Sequence, residues 1–130
     1  MQFKENQTIY LQIAERISDE ILLDHYAIGA RIPSVREYAA LVEVNANTVM
    51  RSYEFLQTQG IIFNKRGIGF FVSPDAKHKI REYRRNEFLK TELPRFFMQL
   101  YTLHIPMDEI DSMYREFIEN LTSNPSKQQS

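Results

Sequence analysis

Four isoleucines, Ile9, Ile13, Ile17 and Ile21, recur every fourth residue near the start of the chain, with Ala14 and Leu22 beside them and Glu and Asp on the other side. That spacing predicts a helix over residues 8–23 whose apolar stripe faces a core. Thr8 is its predicted N-cap, and Gly29 suits the turn that follows. Ser34-Val35-Arg36-Glu37 then spells a capping box, S-x-x-E, behind Pro33. It predicts a short helix over 35–42 that turns Val35, Tyr38, Ala39 and Val42 inward. A turn at Glu43-Val44-Asn45 leads into a further helix over 46–59, capped by Asn45 and stopped by Gly60. Val49, Tyr53 and Leu56 mark its inner face, which leaves Asn47, Thr48 and Arg51 on the opposite side near its N-terminal end.

The pattern then changes from helical to β-rich. IIF and GFFVS flank Asn64-Lys65-Arg66-Gly67-Ile68, which reads as a hairpin over 61–73 with a cationic, glycine-containing tip. Two short helices in tandem followed by such a hairpin form a helix-turn-helix with a wing, a device for gripping duplex DNA. The second helix of the pair enters the major groove and the wing reaches the backbone or minor groove.

Pro74-Asp75 marks an expected domain boundary. An amphipathic pattern follows over 76–103 through Ile80, Tyr83, Phe88, Leu89, Phe96, Phe97 and Leu100, with Pro94 expected to kink or divide it. His104-Ile105-Pro106 interrupts the pattern. A last helix over 107–121 carries Ile110, Met113, Tyr114, Phe117, Ile118 and Leu121 on one face. Two short helices cannot bury so many large side chains within one chain. A second copy is the natural cover, and Phe88, Phe96, Phe97, Leu100, Tyr101, Ile110, Met113, Tyr114 and Phe117 are the expected homodimer contacts. The expected architecture is mainly α with a small β-hairpin: a winged helix-turn-helix over 1–74, an all-α dimerisation region over 75–122, and a disordered polar tail over 123–130.

Composition narrows the function classes. The 130 residues hold 43% hydrophobic and 25% charged positions, ordinary for a folded domain, and no cysteine, so disulfides and thiolate metal sites are excluded. No signal-peptide core or membrane-length apolar run is present, and a cytoplasmic location is expected. His25, His78 and His104 are widely spaced, and Gly67-Ile68-Gly69 is too short for a dinucleotide loop. Asp108, Glu109 and Asp111 read as acids in a helix's first turn rather than as metal ligands. Enzymatic activity, a cofactor and a metal are therefore not expected; a small-molecule effector enclosed by the aromatic, Met-rich C-terminal surface is possible but not indicated.

The formal net charge is −1, which alone disfavours nucleic acid. Its distribution does not. Two bases against five acids put residues 1–30 at −3, whereas residues 31–74 reach +2, residues 75–90 reach +3, and the remainder returns to −3. Lys79, Arg81, Arg84 and Arg85 could face DNA backbone or only solvent. A winged-helix interaction module without DNA binding is the alternative reading.

Residues 32–73 also resemble the GntR family of bacterial transcription regulators. Ile32-Pro33-Ser34-Val35-Arg36 is similar to the family's L-P-S-x-R, and Val44 to Tyr53 to its V-x-x-x-T-V-x-R-A-Y recognition helix. Leu56 to Ile62 matches L-x-x-x-G-L-I, and Arg66 to Val72 the wing pattern R-G-x-G-x-F-V. The short region after the wing resembles the YtrA-like branch, which implies a dimeric repressor of a nearby operon, often one encoding a transporter, acting on a palindromic operator. Ala46 and Met50 stand where the family often carries arginines. The resemblance then implies Ser34, Arg36, Asn45, Asn47, Thr48 and Arg51 as DNA contacts, with Lys65, Arg66 and Gly67 as the wing contact.

Overall fold

The isoleucine stripe becomes the spine of α1 (Ile9–Leu22), with Ile13, Ile17 and Ile21 fully buried and Ile9 exposed on the first turn. The computed structural model describes residues 8–123: of the tail expected to be disordered over 123–130, Ser123 instead ends the last helix, and the rest lies outside the described residues, as does the segment before Thr8. Thr8 holds the N-cap position with an extended backbone, yet its side chain makes no capping bond. Its carbonyl accepts from the Gln12 N–H instead, the first bond of the helix proper.

The capping box forms as its spacing predicts. In α2 (Val35–Val42) the Glu37 N–H donates to Ser34 Oγ at 3.1 Å, and the Ser34 N–H donates back to Glu37 Oε1 at 3.0 Å. Two N–H groups that the first turn would otherwise leave unpaired are thereby satisfied. The bond from the Ser34 backbone, then that from its hydroxyl, hold the Glu37 carboxyl below its ordinary pKa. Glu43 ends the helix in the left-handed region at φ 57°, turning the chain sharply into α3 (Ala46–Thr58). Asn45 Oδ1 accepts the Asn47 N–H at 2.7 Å and caps that helix.

β1 (Ile62–Lys65) and β2 (Gly69–Val72) pair antiparallel, Ile62 opposite Val72 and Lys65 opposite Gly69. Ile62 and Val72 face the core, while Phe63 and Phe71 stack on the other face with centroids 5.8 Å apart. The hairpin also gains a third edge. The Val72 N–H donates to Ala30 O and the Ile32 N–H to Phe70 O, each at 2.9 Å, and Arg31 bridges Phe71.

One core joins these parts: the α1 isoleucines, Tyr38 of α2, Val49, Tyr53 and Leu56 of α3, and Ile61, Ile62 and Val72 of the hairpin. It extends past the boundary expected at residue 74. α4 (Ala76–Glu87) buries Ala76 and Ile80 in the same core, and its Tyr83 ring meets Phe55 edge-on at 5.2 Å. The first compact unit therefore ends at Arg85 and the second starts at Asn86. Periodicity alone could not locate that division, because the helical pattern runs through it.

In the second unit the pattern passes through a π turn (Phe88–Glu92) into α5 (Leu93–Thr102), and α6 (Met107–Ser123) follows. Proline at 94 has no N–H for the carbonyl four residues back, and its ring crowds that carbonyl. The wider turn just ahead of it accommodates both effects and separates α4 from α5, the division that Pro94 was expected to cause. Among the described residues of this unit Leu100 is the buried hydrophobic one, and α6 buries none of its side chains.

Ser34→Ala removes one half of the capping box without touching the core. It is expected to lower the unfolding free energy by about 1 kcal/mol, read as a lower urea midpoint with an unchanged slope.

Candidate nucleic-acid interface

The helical period sets which α3 side chains point away from the core. Val49, Ser52, Tyr53 and Leu56 are buried, so the opposite side of the first two turns presents two rows one turn deep: Ala46 with Met50, and Asn47 with Arg51. Ser52 fixes the rotation of the helix, its hydroxyl donating to Tyr10 O of α1 at 2.6 Å. Tyr53 fixes it on the other side, donating to Pro33 O at 2.6 Å and meeting Phe70 of β2 edge-on at 5.1 Å. Burial raises the Tyr53 phenol well above its ordinary pKa, and burial with the neighbouring Glu20 carboxylate does the same for Tyr38. Tyr26, beside the same carboxylate, is pushed up to about 12, again mainly by burial. All three therefore remain protonated, as donors must be, across the physiological range.

The expected contact residues fall into two groups. Arg51 leans toward α1, its guanidinium carbon 4.2 Å from the centre of the Tyr10 ring, and borders a shallow depression with Glu54, Phe55 and Thr58. Stacking of this kind holds a guanidinium in place at small cost to its exposure. Ser34 and Arg36, at the start of α2, lie across a second cleft that runs between α2, Met50 of α3 and the hairpin tip. Asn47 is exposed and Thr48 half-buried, on the side of Arg51. Asn45 spends its side-chain oxygen on the helix cap.

At the hairpin tip Gly67 adopts φ 79° and lets the chain reverse between Lys65 and Ile68. Arg66 and Ile68 are exposed there. Lys65 is less extended than its sequence suggests: its ammonium sits 4.4 Å over the Phe71 ring. Arg66 is thus the outward cation of the tip.

Sequence reasoning passed over Arg31. The third sheet edge places it beside the hairpin, where it lines the same cleft as Arg36. Gly69 makes the room: at φ 145° a Cβ added there would lie 2.8 Å from Arg31 Nε. The signal was a glycine in a strand, which marks a close approach.

Two of the bases after the hairpin are committed elsewhere. Arg84 pairs with Glu15 and Asp19 at 2.9 and 2.8 Å, and Lys77 with Asp24 at 2.7 Å. Exposed pairs contribute at most about 1 kcal/mol each. Three acids, Glu15 and Asp19 of α1 and Asp24 just beyond it, are thus paired with α4, while Arg31, Arg36, Arg51 and Arg66 lie on or beside the α2, α3 and hairpin surface. Among the described residues there is no group of three or more potential metal ligands, and no helix long and apolar enough to cross a membrane.

This geometry defines a winged helix-turn-helix, and comparison with known proteins agrees with it. Residues 9–72 match the family of bacterial regulatory proteins called the gntR family. A solved structure of a GntR-family protein from Bacteroides thetaiotaomicron is 60% identical and superposes with a TM-score of 0.77, over 87% of this chain and 98% of that one. The uncharacterized HTH-type transcriptional regulator YhcF of Bacillus subtilis is 31% identical over 118 residues, 91% of this chain and 96% of its own length. The HTH-type transcriptional repressor YtrA of the same organism is 27% identical over 113 residues, 87% of this chain and 86% of its own length. The chain belongs to the GntR family of transcriptional regulators, and within it to the short, YtrA-like kind.

Gly69→Ala and Gly29→Ala separate two effects. Each places a side chain at positive φ, but the Cβ at 29 meets nothing within 4 Å. Gly29→Ala is expected to destabilise the first unit by somewhat more than about 1 kcal/mol and Gly69→Ala by more again, and only Gly69→Ala should shift the Arg31 Nε–H resonance in an NMR spectrum.

Proposed function

We propose that the chain is a homodimeric repressor that binds a palindromic operator near a neighbouring operon, in the cytoplasm, through α3 in the major groove and the hairpin on the backbone or minor groove. The observation that carries this reading is the pairing of two unlike surfaces. The first unit presents exposed Arg36, Asn47, Arg51 and Arg66 around the outward face of α3. The second unit presents Phe88, Phe96, Phe97, Tyr101, Met113, Tyr114 and Phe117 to solvent, with Tyr101 77% exposed. An uncovered apolar face of that extent belongs to an interface, and a helix-turn-helix gains affinity and specificity when two copies read two half-sites. Likeness to the repressor YtrA supports repression over activation.

Within this reading Arg36 and Arg51 contact bases or phosphates and Ser34, Asn45, Asn47 and Thr48 hydrogen-bond nearby, with Asn suited to adenine. Lys65, Arg66 and Gly67 form the wing contact. The low net charge does not favour an interaction module without DNA binding, since Arg31, Arg36, Arg51 and Arg66 gather around the α2, α3 and hairpin surface whatever the sum over the chain.

Arg36→Ala and Arg51→Ala are each expected to weaken operator binding by about 1–3 kcal/mol if they read bases. Arg66→Ala should weaken binding to all duplexes alike and reduce the salt slope by about one unit. Equal loss on operator and random duplex for Arg51→Ala would reassign it to phosphate. Because Tyr114 and Phe117 are exposed within one chain, Tyr114→Asp with Phe117→Asp should leave unfolding of the first unit unchanged yet yield a monomer by sedimentation. A dimer that persists would remove α6 from the interface.

A further inference from the structure

The outward face of α3 has one polar row and one apolar row. Asn47 and Arg51 form the polar row, on the α1 side. Ala46 and Met50 form the apolar row, and Met50, 39% exposed, lines the cleft between α2 and the hairpin tip. Val35, Ile68 and Phe70 supply further apolar wall, while Arg31 and Arg36 stand in the same cleft as cations. The cleft is open and shallow, about 410 Å³, and Ile68 at its hairpin side is 59% exposed.

This arrangement has a defined chemical complement, given the DNA-binding reading on which the inference rests. Arginines beside an apolar patch suit a polyanion that carries an apolar feature between its phosphates. In the major groove the one apolar group on a base-pair edge is the C5-methyl of thymine. Guanine's O6 and N7 acceptors would find no donor on Met50, whose thioether is only a weak acceptor, and would lose water without compensation. Methionine is flexible and polarizable, so it can follow a methyl group across a small range of helix placements.

We propose that Met50, with Ala46 one turn earlier, makes an apolar reader for thymine methyl groups, so that each operator half-site carries thymine opposite this row of α3. Arg31 and Arg36 then hold the flanking phosphates and keep the methionine over the base edge.

The test starts from a randomised duplex library selected on the full-length protein, then repeated with Met50→Arg. Wild type should enrich T·A pairs at fixed, symmetry-related positions, and Met50→Arg should move those positions toward guanine. In the enriched duplex, replacing each such thymine by deoxyuridine deletes only the methyl. Wild type should then bind about fourfold more weakly per methyl removed, the worth of one buried methyl group, and Met50→Ala should be nearly indifferent. Enrichment of G·C at those positions, an unchanged preference in Met50→Arg, or equal deoxyuridine sensitivity in wild type and Met50→Ala would each overturn the proposal while leaving a DNA-binding protein. Failure to enrich any sequence would overturn the DNA-binding reading and this inference together.

Discussion

Tyr53 holds the first unit's working surface together. It is fully buried, donates its hydroxyl to Pro33 O just ahead of the capping box, and packs its ring edge-on against Phe70 of the hairpin. One side chain of α3 therefore positions the start of α2 and the second strand of the wing. Aromatic pairs and buried hydrogen bonds of this kind are each worth only about 1 kcal/mol. Their larger effect is geometric, because Arg36, Met50 and the hairpin tip inherit their relative placement from that single residue. Ser52 completes the constraint by tying the neighbouring face of the helix to α1.

The surface so fixed is asymmetric in chemistry. On the α1 side Arg51 is stacked on Tyr10, whose carbonyl also accepts from Ser52, so the same residue positions the helix and its guanidinium. On the hairpin side Met50 faces a cleft bordered by arginines at the sheet edge and on α2. Electrostatics follows the same economy: Glu15 and Asp19 of α1, with Asp24 just beyond it, pair with Arg84 and Lys77 of α4, away from the arginines around α3 and the hairpin.

Much of this was legible in the residues alone. The capping box at Ser34 and Glu37, the inward Val49, Tyr53 and Leu56, and the Gly67 turn are local rules, so periodicity and spacing were enough to place them. Features that depend on a distant partner were not legible. No local pattern says that residues 30–32 add an edge to the hairpin, that Gly69 makes room for Arg31, or that Lys65 folds back onto Phe71. The extent of the first unit was missed for the same reason: Ala76 and Ile80 look like any apolar helix positions until the core they enter is known. Pro94 was expected to kink or divide its helix, and α4 and α5 are indeed separate, but the π turn that divides them is one adjustment among several that sequence cannot choose among.

The central claim is that the face formed by α3, the start of α2 and the hairpin tip reads a specific duplex. The most direct measurement is fluorescence anisotropy with a labelled duplex from upstream of the protein's own gene, against a scrambled duplex, at two salt concentrations. A sequence-specific reader predicts tight binding to the native duplex, much weaker binding to the scrambled one, and affinity that falls steeply with salt. Absence of binding to either duplex even at low salt would contradict the account.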